Sequence, residues 1–155
     1  VKYNIDIGLV LMGEPTKNEG EIYYKSLLKT IKDNNLENRI LIRGFRDDVS
    51  IFYDAIDLFT LASKSETYGM VTVEAMAKEL PVLATKSGGT VELLGNGEFG
   101  MLYEPGNIND FCEKFNLIYF NKDLRESLAH KAKLESTSKY TLENQYKLLS
   151  DIILS

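Results

Sequence analysis

Tryptophan is missing from this sequence, and cysteine and histidine occur once each, as Cys112 and His130. One cysteine closes no intrachain disulfide, and neither a cysteine cluster nor an Asp-x-Asp or His-x-x-x-His pattern is present, so no metal site is expected. Cys112 falls on the apolar side of a helical pattern and reads as a small core residue. Positive charge is also scarce. Lys and Arg number 18 against 23 Asp and Glu, a net charge of −5 with no basic stripe to offset it, which argues against a nucleic-acid partner. Long apolar runs are lacking too: Ile5 to Met12 and Leu58 to Ala62 are far too short to span a bilayer. No basic and apolar leader opens the sequence. These absences together point to a reducing cytoplasm. The chain opens on Val1 rather than Met, which reads as an excised or processed piece.

What is present is ordinary for a soluble domain: 155 residues, 44% apolar and 26% charged, enough for a real core. Short apolar runs alternate with helix-period segments. Strands are expected at Ile7 to Met12, Arg39 to Arg43, Asp57 to Ala62, Pro81 to Thr85 and Phe99 to Tyr103. Between them, Tyr24, Leu27, Leu28 and Ile31 share one helix face. Asp47 or Asp48 caps a short helix through Val49, Phe52 and Tyr53, a third helix covers Met70 to Lys78, and a short one covers Thr90 to Leu94. After Pro105 the pattern turns helical. Ile108, Phe111, Cys112, Phe115, Ile118 and Tyr119 form a stripe capped by Asn107; Leu124, Leu128 and Ala132 form a second. Leu142, Tyr146, Leu149 and Ile153 form a third, capped by Thr141. Strands alternating with helices imply parallel pairing. The expected fold class is therefore α/β, a Rossmann-like doubly wound parallel sheet with a C-terminal helical tail, as one domain over 1–155.

In such sheets ligands sit beyond the carboxyl ends of the strands, which directs attention to Gly13 to Gly20, Gly44 to Asp48 and Ser63 to Gly69. The last loop enters a helix at Gly69 or Met70. Unpaired first-turn N–H groups and the positive end of the helix dipole make that point an anion site, and Gly69 has no Cβ to bar a ligand's approach. Glu66 precedes the helix and Glu74 lies about 6 Å along its axis from Met70. An extended nucleotide-sugar offers hexose, diphosphate and ribose in matching order, with Glu74 suited to the vicinal ribose hydroxyls. Spacing alone proves little, because 14 Glu give about one such pair by chance. Glu135 and Glu143 repeat it without a phosphate loop and read as solvated surface. Taken alone, Glu74 fits a helix-dipole or salt-bridge role equally well.

The run Ser63-x-x-Glu66-x-Tyr68-Gly69-x-x-x-x-Glu74-Ala-Met-Ala, followed by Pro81-Val, resembles the donor-site signature of retaining glycosyltransferases of the GT-B fold, the large family four of group 1 glycosyl transferases. Ile40 to Phe45, Phe52-Tyr53, Asp57-Leu-Phe, Ser87-Gly-Gly-Thr-Val-Glu92, Gly100-Met-Leu-Tyr and Pro105-Gly-Asn107 resemble its other blocks. The resemblance implies one half of a GT-B fold, a nucleotide-sugar donor domain truncated at its N-terminal side, with the acceptor domain absent from this chain. It assigns Glu66 to the donor sugar, as the candidate catalytic residue, and the Tyr68, Gly69 and Met70 backbone to sugar and phosphates. Glu74 goes to the ribose, Gly44, Phe45 and Arg46 to the base pocket, and Gly13 with Glu14 to a glycine turn. It further implies sugar transfer with retention, no cofactor beyond the nucleoside-diphosphate sugar itself, and no obligatory metal. The acceptor would be a sugar, glycan or lipid held mainly by the missing domain, in an enzyme of the cytoplasm or the inner face of the membrane. Transfer by these residues alone is not expected.

Two departures stand out. Glu79 occupies a place where the family has Gly, at a helix C-terminus where left-handed backbone is common. The family's phosphate-binding Arg and Lys have no counterpart among Val1 to Asp6. Gly95-Asn-Gly-Glu-Phe-Gly100 fits G-x-G-x-x-G, but it leaves a helix and enters a strand, so it reads as a turn. His130, between lysine neighbours on a late helix, reads as a solvated surface residue. A reading of a different class is a non-catalytic nucleotide or nucleotide-sugar binding module on the same fold.

Overall fold

The computed structural model describes residues 6–64, 66–141 and 143–144. The chain divides into two compact units, Val1–Val49 and Ser50–Ser155. In the first, β1 (Leu9–Met12) pairs in parallel with β2 (Ile40–Arg43), Leu9 opposite Ile40 and Met12 opposite Arg43. Helix α1 (Glu19–Asp33) makes the crossover that a parallel pair requires. Its face is the expected one, with Ile31 buried and Tyr24 and Leu27 half-buried, while Leu28 lies more open.

The second unit follows helix α2 (Val49–Asp54) with a parallel sheet of β3 (Phe59–Leu61), β4 (Val82–Thr85) and β5 (Met101–Tyr103), β4 in the middle. All four residues of β4 are buried, as a central parallel strand covered on both faces demands. Helix α3 (Met70–Ala77) joins β3 to β4, α4 (Gly89–Leu93) joins β4 to β5, and α5 (Ile108–Phe120) and α6 (Lys122–Lys139) follow. The Gly95–Gly97 segment is a single 3-10 turn between α4 and β5, so its glycines are a turn and not a dinucleotide loop. The fold is thus Rossmann-like, with C-terminal helices, and every strand pairing among the described residues is parallel.

Leu83, Tyr103 and Ile118 form a core cluster flanked by Leu58, Met101, Phe111 and Phe115. The Tyr103 and Phe111 rings meet edge to face at 5.1 Å. Here the expected α5 stripe needs correction. Phe111, Phe115 and Ile118 face the core, whereas Ile108, Cys112 and Tyr119 are exposed. At 3.6 residues per turn these three lie about 60–100° round the helix from Phe111, outside the narrow strip that a sheet covers. Cys112 is therefore a surface thiol and not a core residue.

Asn107 caps α5 as expected, its Oδ1 accepting from the Asp110 N–H at 3.1 Å. Thr141 Oγ1 accepts from the Asn144 N–H at 3.3 Å. The rest of that third stripe, Leu142, Tyr146, Leu149 and Ile153, lies outside the described residues. Of the decoy carboxylates, Glu135 is mostly covered rather than solvated and pairs with Lys139 one turn on. Asp48, one of the two residues expected to cap α2, is paired with Arg46 through both carboxylate oxygens, at 2.6 Å each.

The turn closing α3 is strained in the way the sequence suggested. Glu79 has φ 58°; its N–H donates to the Met76 carbonyl and that of Leu80 to the Ala75 carbonyl, a Schellman closure that wants glycine in this place. The Glu79 carboxylate accepts from Lys133 Nζ at 2.7 Å and lies 3.3 Å from His130 Nδ1, both on α6. Those contacts, Lys133 first, hold its carboxyl below the usual range. His130 is a surface residue, as read. Glu79→Gly therefore relieves strain but deletes the tie to α6. With surface pairs screened at about 0.5 M salt, the variant should melt roughly 2–4 °C higher, the shift expected from relieved left-handed strain in a domain of this size. At low salt and neutral pH the gain should shrink. The depressed pKa means the pair stabilises above the usual carboxylate range and is lost as pH falls through that pKa, so acidification should restore the gain. A lower melting temperature at high salt would contradict this.

Candidate functional site

β3 and β4 are adjacent and parallel, so their carboxyl ends release two loops side by side. The first, Ser63 to Gly69, is fixed to the second, Thr85 to Gly89. Thr85 Oγ1 donates to the Ser63 carbonyl at 2.7 Å, Ser87 Oγ to the same oxygen at 3.4 Å, and the Gly89 N–H to the Glu66 carbonyl at 3.0 Å. Gly88 is indispensable to this contact. Its φ is 52°, and a Cβ there would stand 2.1 Å from the Glu66 carbonyl oxygen.

The first loop enters α3 through Gly69, the N-cap residue, in left-handed conformation with φ 77°. Its carbonyl accepts from the Thr72 and Val73 N–H groups, which leaves the Met70 and Val71 N–H groups without a helical partner. The Gly69 N–H itself donates to Glu66 Oε1 at 3.2 Å, so of the three backbone donors expected at the phosphates this one is already taken by a loop carboxylate. Tyr68 and Met70 are exposed at the helix entrance.

Glu74 lies one turn further on, half-buried between buried Val73 and Ala75. Its Oε2 accepts from Tyr53 Oη at 2.8 Å. Tyr53 is 5% exposed and its hydroxyl also lies 3.3 Å from the Val71 carbonyl. Burial, then the hydrogen bond and charge of Glu74, push the Tyr53 hydroxyl far above its ordinary pKa, so it remains a donor. No cation pairs with Glu74 among the described residues.

In the first unit, the structure brings Gly13, Glu14 and Gly44 together. The Gly13 N–H donates to the Arg43 carbonyl at 3.0 Å, and Glu14 Oε1 stands 3.4 Å from where a Cβ on Gly44 would be. Phe45 is 71% exposed. Arg46 spends its guanidinium on Asp48.

Three features of the second unit escaped sequence reasoning. Tyr53 stands on an apolar helix stripe and in the Phe52-Tyr53 block of the family resemblance, but neither points to its hydrogen bond with Glu74. The Gly88-Gly89 pair, at a strand-to-helix turn, was a visible mark of close backbone approach. Thr72 and Thr90, in the first turns of α3 and α4, are buried with hydroxyls that have no partner among the described residues; nothing in their spacing announces it. Among the described residues no group of three or more His, Cys, Asp or Glu is placed to hold a metal ion, and no helix is long and apolar enough to cross a membrane.

Comparison with known proteins shows the family. The family model of the glycosyl transferases of group 1 matches residues 1–135. An uncharacterised glycosyltransferase of Methanocaldococcus jannaschii is 34% identical over 140 residues, 90% of this chain and 38% of the relative. The N-acetyl-alpha-D-glucosaminyl L-malate synthase of Bacillus anthracis is 27% identical over 83% of this chain and 32% of its own length. Among solved structures, Anabaena HepE in complex with UDP matches 95% of this chain and 40% of its own at 28% identity, with a TM-score of 0.88. This chain thus spans well under half the length of these relatives.

Gly88→Ala should destabilise the second unit by about 2 kcal/mol or more, from a disallowed backbone region plus a clash with backbone that cannot move aside. Chemical denaturation measures it. A loss below about 0.5 kcal/mol would mean the two loops are not locked together.

Proposed function

The chain belongs to the glycosyl transferases of group 1, and we propose that the entrance to α3 holds the diphosphate of a nucleoside-diphosphate sugar between Glu66 and Glu74. One observation carries this: each carboxylate has one oxygen tied to the protein, to Gly69 N–H and to Tyr53 Oη, while the Met70 and Val71 donors lie between them in sequence. Those N–H groups and the helix dipole suit a diphosphate. As a sugar leaves, charge grows on that diphosphate, and preorganised donors stabilise it most at that moment. The second oxygen of Glu74 accepts ribose hydroxyls and that of Glu66 accepts sugar hydroxyls, which makes Glu66 the candidate catalytic residue. Tyr68 flanks the sugar end. Gly13, Glu14, Gly44, Phe45 and Arg46 are carried as donor-binding residues of the first unit, each to be tested by its own substitution.

The HepE complexes contain UDP and UDP-glucose, which makes uridine nucleotides the first ligands to test here. Retention of configuration, an acceptor that is a sugar, glycan or lipid-linked glycan, and an acceptor-binding domain apart from these residues complete the reading. No cofactor is assigned a step. Activity in the cytoplasm, or at the inner face of the membrane, fits such donors.

Two substitutions test the carboxylates. Glu74→Ala should weaken UDP, GDP or ADP binding by about 10-fold or more, the scale of a lost hydrogen bond to a charged group. It should leave the fold intact, because Tyr53 Oη can turn to the Val71 carbonyl. Unchanged affinity in a calorimetric titration, or a variant that unfolds, would remove the ribose role. Glu66→Ala should instead cost discrimination, weakening UDP-glucose by about 10-fold and bare UDP far less. Equal losses for both ligands would refute the sugar assignment.

A further inference from the structure

Tyr53 is the one protein group that reaches the Glu74 carboxylate among the described residues, and it does so from a rigid seat. Its ring meets Phe52 edge-on at 5.5 Å and Phe59 at 5.9 Å, with almost no exposure. A tyrosine fixed at the ring has a hydroxyl fixed in space. That hydroxyl has one hydrogen and two acceptors within reach, Glu74 Oε2 at 2.8 Å and the Val71 carbonyl at 3.3 Å; the shorter, charge-assisted bond takes it. Oε1 of Glu74 has no hydrogen bond among the described residues.

As a device for stability alone, this pair makes little physical sense. A buried tyrosine hydroxyl facing a half-buried carboxylate adds desolvation cost, and replacing both with apolar groups of similar shape would be close to neutral. A carboxylate kept for structure would also be expected to have a cation or more than one donor, as Glu79 has in Lys133 and His130. What the pair does accomplish is directional. One oxygen is pinned, so the plane of the carboxylate is set and the other oxygen is held in one place.

We propose that Tyr53 is a positioning residue that fixes the Glu74 carboxylate for the ribose and thereby sets the preference for ribo- over deoxyribonucleotides. This rests on the assignment of Glu74 to the ribose. Tyr53 does not touch the ligand. It removes the freedom of a long side chain before binding, so that less is lost when the ribose hydroxyls arrive, and it deepens the cost of a ligand that lacks one of them.

The test compares, on the whole chain, the affinity for UDP, GDP or ADP, whichever wild type binds best, with that for its 2′-deoxy counterpart. Tyr53→Phe keeps the ring among Phe52 and Phe59 and deletes only the hydroxyl. The ribo-to-deoxy affinity ratio should fall by roughly 3–10-fold, the scale of one hydrogen bond. It should not fall further when Tyr53→Phe is added to Glu74→Ala, because the tyrosine acts through the glutamate. A partly unfolded sample does not blur the result, since both ligands are read on the same preparation and the folded fraction cancels. If Tyr53→Phe keeps the wild-type ratio, or its effect adds fully to that of Glu74→Ala, the inference is overturned while the ribose assignment stands. If Glu74→Ala itself leaves the ratio unchanged, the ribose assignment fails and this inference falls with it.

Discussion

The contact between the Glu66 carbonyl and the Gly88-Gly89 backbone is the constraint on which the site depends. Two strands that run side by side deliver two loops to the same edge, but nothing in that topology locks the loops together. The lock is a Gly89 N–H at 3.0 Å from the carbonyl and a Gly88 that leaves no room for a side chain. With it made, Glu66 is held by its own main chain, its side chain turns to the Gly69 N–H, and α3 begins where it does. The helix entrance is thus shaped by main-chain packing one loop away from it.

The core underneath serves the same end. β4 is buried along its whole length, and α3 buries Thr72, Val73, Ala75 and Met76. A helix whose inward side is close-packed in this way cannot shift or rotate without opening those contacts, so its first turn, where Met70 and Val71 lie exposed, is a fixed array of donors. Preorganisation of that kind is worth more at a developing charge than donors that must first be recruited. Glu74 lies half-buried at the edge of that packed side, where the Tyr53 hydroxyl fixes one of its oxygens.

Much of this was legible from residue patterns. The alternation of short apolar runs with helix-period segments is what parallel strands joined by crossover helices produce, and it locates the five strands of the described residues within a few positions. Glu66, Gly69 and Glu74 were marked by their place around a loop-to-helix junction. Glu79 was visible as a non-glycine where left-handed backbone is wanted, and its φ of 58° bears that out. What failed to show were facts of angle and partner. The α5 stripe was drawn too wide because a list of apolar residues does not say how much of a helix the sheet covers; Cys112 and Ile108 fell outside it. The partner of Tyr53 does not show because that hydrogen bond crosses 21 positions of sequence, and the Arg46–Asp48 pair does not show because a residue pattern does not say which partner a carboxylate takes.

The way the carboxylates are satisfied separates Glu79 and Asp48 from the two proposed as ligand-binding, Glu66 and Glu74. Glu79 gives one oxygen to His130 and the other to Lys133, and Asp48 gives both to the Arg46 guanidinium. Each is complete within the protein, and further contacts would add little. Glu66 and Glu74 are different: each spends one oxygen on a single neutral donor, Gly69 N–H or Tyr53 Oη, and neither is paired with a cation among the described residues. One neutral hydrogen bond orients a carboxylate but neutralises none of its charge, so the remaining oxygen stays a strong acceptor. Hydroxyl groups of a sugar and a ribose can satisfy such an oxygen without the strong ion pairing that would slow their release. On the proposed reading, two carboxylates each oriented by a single neutral donor suit sugar hydroxyls, and the local positive field for phosphate comes from the backbone at the start of α3.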